Sequence, residues 1–135
     1  MIFDASSIYL LIKLRRLTPL ADEITIDLAI YELGNALWKG VRRGLLTREG
    51  ALKSMGIIWN IFQNMRVIRF EELDMEEILK LAAETGLTFY DATYLHLALE
   101  LGEEIITEDE RLKAKAIEKG ATAHSAMEIK GLGAG

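Results

Sequence analysis

Short segments of strand character alternate with helix-length stretches from one end of this 135-residue chain to the other, and this alternation limits the fold more than any other feature. The strand-like segments run from Met1 to Asp4, Glu23 to Ile26, Met65 to Phe70, Glu104 to Thr107 and, as an edge strand, Ala121 to His124. Such a pattern predicts a three-layer α/β domain, with a mainly parallel central sheet flanked by helices. Right-handed crossovers then line the strand ends along one rim, so that residues far apart in sequence share one site.

The stretches between them carry helix signals. Ser6 or Ser7 is expected to cap a first helix in which Ile8, Leu11 and Ile12 recur at helical spacing, with Lys13, Arg15 and Arg16 near its end. Asp27 is expected to cap a long helix to about Arg43, ended by Gly44, along which Leu28, Tyr31, Asn35 and Trp38 follow at intervals of three and four. Thr47 caps a third, whose Met55, Ile58, Trp59 and Phe62 form a broad apolar face suited to the core or to a second subunit. Asp74 with Glu77 forms a capping box for Met75 to Thr85, which Gly86 stops. The helix from Phe89 to about Leu101 places Tyr90, Tyr94, Leu95, Leu97 and Ala98 on its apolar side. One domain over residues 1–130 is expected, with 131–135 a flexible glycine-rich tail.

The net charge is −5, from 16 basic against 21 acidic residues. That argues against holding nucleic acid by general attraction, which needs clustered Lys and Arg, but not against an enzyme whose metal ions invert the local charge. There is no cysteine, hence no disulfide framework, thiolate zinc site or cysteine nucleophile. No apolar run approaches the roughly 20 residues of a membrane span, and the opening MIFDASS lacks a signal peptide's basic start. A soluble cytoplasmic protein is expected. The two histidines sit in no HExxH pattern.

Four acids stand out by position. Asp4 closes the first strand, Asp91 opens the apolar helix, Asp109 lies just past a strand, and Glu32 sits in the first turns of the second helix. Each has an ordinary structural reading: Thr88 and Asp91 fit the N-cap and N3 of a capping box, and Asp109 fits a helix cap. Glu32 is harder to dismiss, because its neighbours are apolar, Ala36 offers no i to i+4 partner, and a bare buried carboxylate is costly. Strand ends of an open α/β sheet are where ligands sit. Four carboxylates converging there would repel unless they held hard cations, and oxygen-only ligands select Mg²⁺ or Mn²⁺.

With MIFDASS, YELGNALWKGVRRGLL, LTFYDATYLHLA and IITEDERL in that order, the chain resembles the PIN-domain ribonucleases, and within them the VapC-type toxins of toxin–antitoxin pairs. The resemblance implies that Asp4, Glu32, Asp91 and Asp109 are an acidic quartet binding one or two Mg²⁺ or Mn²⁺ ions, with Ser6, Asn35 and Thr107 orienting acids or waters around them. It implies metal-dependent endonucleolytic hydrolysis of RNA, leaving 5′-phosphate and 3′-hydroxyl ends, without a histidine base. An antitoxin partner and a homodimer are implied as well, the face around Trp59 and Phe62 being one candidate dimer surface. Lys39, Arg42, Arg43 and Arg48 are candidates for guiding the RNA backbone, but a solvated basic helix end is preferred, because Arg42 lies about 15 Å along the helix axis from Glu32. Glu108 is a further acid of open role.

The rival reading is a PIN-fold binding module that docks a protein or RNA and cleaves nothing; the presence of all four acids argues against it. A haloacid-dehalogenase-like phosphatase would want a second aspartate where Ser6 stands, and a response-regulator receiver would want Asp and Lys where Arg69 and Thr107 stand.

Overall fold

The strands are short, and all of them run parallel. In the computed structural model, which describes residues 1–131, β1 (Ile2–Phe3), β2 (Ile24–Ile26), β3 (Arg66–Ile68), β4 (Ile105–Ile106) and β5 (Ala123–His124) form one sheet in the order β3-β2-β1-β4-β5. Parallel strands must be joined by crossovers, and six helices supply them: α1 (Ala5–Leu14), α2 (Leu28–Arg42), α3 (Arg48–Gln63), α4 (Met75–Thr85), α5 (Phe89–Leu101) and α6 (Glu110–Glu118). Helices on both faces bury such a sheet, which explains why β1 and β4 are wholly apolar and why β2, with Thr25 between two isoleucines, is buried throughout as well. The core they share with Ile8, Leu11, Leu33, Ile58, Tyr94 and Leu95 is continuous.

The strand order creates the functional crevice. From β1 the chain steps outward to β2 and β3, then returns to the other side of β1 for β4 and β5. The register pairs Ile2 with Ile105 and Phe3 with Ile106, so Asp4 and Thr107, the next residue on each strand, emerge side by side. This is the switch point at which open α/β sheets bind ligands, at the carboxyl ends of the strands.

Several expectations about element ends are corrected. Asp4, rather than Ser6 or Ser7, caps α1, its Oδ1 accepting the Ser7 N–H at 2.9 Å. The first strand is therefore shorter than the sequence pattern implied, because its last residue turns to the helix. Asp27 stands at the N-cap position of α2 with helical backbone angles and makes no cap bond there; its carboxylate accepts the Phe70 N–H at 3.0 Å instead. Phe70 itself opens a 3₁₀ turn, Phe70–Glu72, which ends the third strand early. Thr47 and Asp74 cap α3 and α4 as expected, accepting from Gly50 and Glu77. Gly86 stops α4 with a left-handed φ of 77°, a conformation glycine adopts without penalty.

Two faces also differ from expectation. Phe62 is buried whereas Trp59 is 61% exposed, so the apolar side of α3 is split between core and surface. Tyr90 lies 57% exposed, off the buried side of α5, which instead buries Ala92 to Leu95, Leu97 and Ala98. Of the expected glycine-rich tail, Gly131 is an exposed turn residue and 132–135 lie outside the described residues.

Candidate active site

Asp4 is the deepest of the four acids, with 4% of its surface exposed. A carboxylate so buried needs donors, and three reach it. Oδ1 accepts from Ser6 Oγ at 2.8 Å and from the Ser7 N–H at 2.9 Å, and Oδ2 accepts from the Thr107 hydroxyl. Ser7 Oγ returns to the Asp4 carbonyl at 2.9 Å, closing the first turn of α1. Even so, desolvation prevails over these bonds and raises the Asp4 carboxyl above its ordinary value.

Thr107 and Ser6 extend this network toward the fourth acid. Thr107 Oγ1 accepts the Asp109 N–H at 3.0 Å and lies 3.3 Å from Ser6 Oγ, which accepts the Glu108 N–H at 2.9 Å. The loop after β4 is thereby tied to the loop after β1. Asp109 caps α6, its Oδ1 taking the Leu112 N–H at 2.9 Å. Capping and a place in the crevice are compatible, since a carboxylate has a second oxygen to offer.

Glu32 and Asp91 reach the crevice from helices. Glu32, half-buried on α2, accepts the phenol of Tyr94 from α5 at 2.8 Å. Asp91 gives its N–H to the capping Thr88 at 3.1 Å, and the threonine side chain also hydrogen-bonds the carboxyl. The electrostatics record how close the four stand. Burial first, then Asp109 and Asp4, push the Asp91 carboxyl up to about 6, while Thr88 and Arg111 work in the other direction. Burial again, then Asp4 and Asp91, raise Glu32 against the lowering effect of Tyr94. Tyr94 is itself pushed well above its usual value by burial and by Glu32 and Asp4, which keeps it a donor. Each of the four acids therefore lies within electrostatic reach of another, although among the described residues no three stand at the spacing of ligands about one ion.

Beside Glu32 opens a cavity of about 570 Å³. Ser6, Glu32, Asn35 and Lys39 give it polar lining, and Tyr9, Tyr31 and Tyr90 give it aromatic walls. Tyr31 and Tyr90 also border a larger apolar groove of about 740 Å³ that runs on past Trp59 and Phe70. Lys39 is thus placed by the site, whereas Arg42 lies one turn further along α2 with its guanidinium over the Trp38 ring at 5.5 Å, and Arg43 and Arg48 are exposed at the turn into α3.

The PIN domain family model matches residues 6–118. The chain belongs to the PIN-domain family. Ribonuclease VapC3 of Pyrobaculum aerophilum is 38% identical over 91 residues, which is 67% of this chain and 69% of that protein. Exonuclease VapC9 of the same organism is 38% identical over 96 residues, 71% of this chain and 67% of that protein. The crystal structure of PAE2754, also from Pyrobaculum aerophilum, superposes with a TM-score of 0.78 at 32% identity, covering 99% of this chain and 95% of the other. The α/β PIN fold expected from the pattern of strands and helices is the fold observed.

Three features of this PIN domain escaped the sequence reading. Tyr94 was assigned to the apolar side of its helix, yet a buried tyrosine needs a partner for its hydroxyl, and its position one turn after Asp91 was the available signal. Glu108 is turned away from the acids: its carboxylate takes Ser125 Oγ at 2.6 Å and the Ala126 N–H at 2.8 Å, pinning the segment after β5. Arg111, whose Nη2 donates to the Gly86 carbonyl at 2.6 Å, is a cation acting on Asp91.

Proposed function

We propose that this PIN domain is a divalent-metal-dependent endoribonuclease, the toxin of a type II toxin–antitoxin pair. The observation that carries the reading is the gathering of Asp4, Glu32, Asp91 and Asp109 about one crevice at the strand ends, where Asp4 and Asp91 act on Glu32, and Asp109 and Asp4 on Asp91. Hard oxygen donors gathered in one crevice fit a hard cation, Mg²⁺ or Mn²⁺, one or two per site. When bound, the metal supplies Lewis-acid stabilisation of the charge that develops during phosphodiester hydrolysis. The four carboxylates would hold it, and Ser6 and Thr107 keep Asp4 aimed by hydrogen bonds from both sides.

The cavity suits the other half of the task. Lys39 meets a phosphate next to the acids, Asn35 lies on the exposed rim, and Tyr31 and Tyr90 offer faces on which an unstacked base of single-stranded RNA can lie. Such recognition depends on local shape rather than on bulk positive charge, in keeping with a net charge of −5. The names of two relatives, a ribonuclease and an exonuclease VapC, support nuclease chemistry and a cognate antitoxin. The apolar groove past Trp59 and Phe70 supports a protein partner lying across the site, or a second copy of the chain; of the two residues first considered for a dimer face, only Trp59 is exposed enough to serve. No helix among the described residues is long and apolar enough to cross a membrane, which agrees with a cytoplasmic setting.

Circular single-stranded RNA decides the reading, because a circle has no end for an exonuclease. Linearisation with Mg²⁺ or Mn²⁺, its loss in EDTA and its loss in Asp4→Asn and Asp91→Asn are expected, with 5′-phosphates on the products. Degradation of linear RNA alone would replace endonuclease by exonuclease. No cleavage of either form would leave the PIN-fold binding module.

A further inference from the structure

Tyr94 is the largest of the fully buried side chains, and its hydroxyl is spent on the site rather than on the core. It lies one turn beyond Asp91 on the same side of α5. Its phenol donates to Glu32 Oε1 at 2.8 Å, across 62 residues of sequence. One hydroxyl thereby joins the two helices that carry Glu32 and Asp91. Glu32 stands on a longer side chain than the aspartates and enters from the second turn of a helix rather than from a strand end, so its carboxylate has more rotamers to lose on binding a ligand. The phenol takes one of its two oxygens, and Glu32 lines the cavity beside the acids.

We infer that Tyr94 is a positioning residue: it holds the Glu32 carboxylate in the orientation in which the other oxygen binds the divalent ion, and so sets the metal affinity of the site. The inference rests on the metal-dependent reading above and deepens it. Outer partners of metal-binding carboxylates typically contribute 10–100-fold in affinity, which gives the size of the effect.

The test is Mn²⁺ titration by calorimetry on the RNA-free protein, for the parent, Tyr94→Phe, Glu32→Gln and the double variant, with thermal unfolding in EDTA as control. Phenylalanine keeps the ring in the core and removes the donor. Expected are a Mn²⁺ affinity lowered about tenfold in Tyr94→Phe, cleavage recovered at higher Mn²⁺, and no further loss when Tyr94→Phe is added to Glu32→Gln. Glu32→Asp, which draws the carboxylate back from the phenol by one methylene, approaches the same bond from the other side and must also weaken binding even if Tyr94→Phe proves unstable. Unchanged Mn²⁺ affinity in Tyr94→Phe or in Glu32→Asp, or an undiminished penalty in the Glu32→Gln background, overturns the positioning role while leaving the metal site standing. A parent that binds no Mn²⁺ overturns both.

Discussion

The hydroxyl of Thr107 at the end of β4 donates to the carboxylate of Asp4 at the end of β1, while accepting the N–H of Asp109 at 3.0 Å. One side chain on one strand thus fixes two acids 105 residues apart in the chain. Adjacent strand ends make this possible: the register places residues 4 and 107 next to each other, and threonine has both a donor and lone pairs to give.

Replacing that hydroxyl by a methyl leaves a buried carboxylate and a backbone N–H each short of a partner. Thr107→Val is expected to cost about 1–3 kcal/mol of folding stability, read as a lower urea midpoint at unchanged m-value. Thr107→Ser, which restores the donor, should recover most of it. Equal midpoints for valine and threonine would show that Asp4 is held adequately by Ser6 and Ser7.

The Asp91 carboxyl, raised from 3.8 to about 6, retains a proton in the folded protein at pH values where the unfolded chain has released it. Between those two values the folded state binds more protons, so this group's contribution to stability falls as pH rises through the window. In EDTA, the melting temperature of the parent should therefore drop relative to Asp91→Asn from about pH 4 to about pH 6.5. Mn²⁺ should reverse the ranking at the upper end, because it binds the ionised parent and RT ln(1 + [L]/Kd) then stabilises it. Parallel curves in EDTA would remove the electrostatic account of the crevice.

Glu108 separates structure from chemistry within the same loop. Its carboxylate accepts two hydrogen bonds from Ser125 and Ala126, so Glu108→Ala is expected to lower stability by about 1–3 kcal/mol. Mn²⁺ affinity should stay at the parental level in calorimetry on the folded variant. A loss of affinity as large as that of Asp109→Asn would place Glu108 in the metal site after all.

Among the basic residues, position ranks the expected effects. Lys39 lines the cavity beside Glu32, whereas Arg48 is exposed at the start of α3, so in EDTA, where no cleavage is expected, Lys39→Ala should weaken binding of single-stranded RNA, and Arg48→Ala should change it little. Loss of one phosphate contact should lower the slope of log affinity against log salt by about 0.7. Equal effects from the two variants would favour diffuse attraction over a placed contact.

Much of this architecture was legible because it rests on order along the chain. Buried parallel strands need apolar runs, crossovers need helix-length segments, and the caps of α3 and α4 are bonds between residues three apart; each is written in a window of a few residues. The same holds for the acids at Asp4, Asp91 and Asp109, whose places at strand ends and helix starts follow from the alternation alone. Bonds that cross the chain were not legible in this way. Asp27 looked like a cap and serves Phe70, 43 residues away; Tyr94 looked like packing and serves Glu32; Glu108 looked like a fourth-motif acid and serves Ser125. Neither did periodicity distinguish Phe62, which is buried, from Trp59, which is exposed three residues earlier on α3. Backbone propensity is local and additive along a segment, so sequence suffices for it. The partner of a polar side chain is settled by which elements the folded sheet brings within 3 Å, and that is known only once the crossovers have closed.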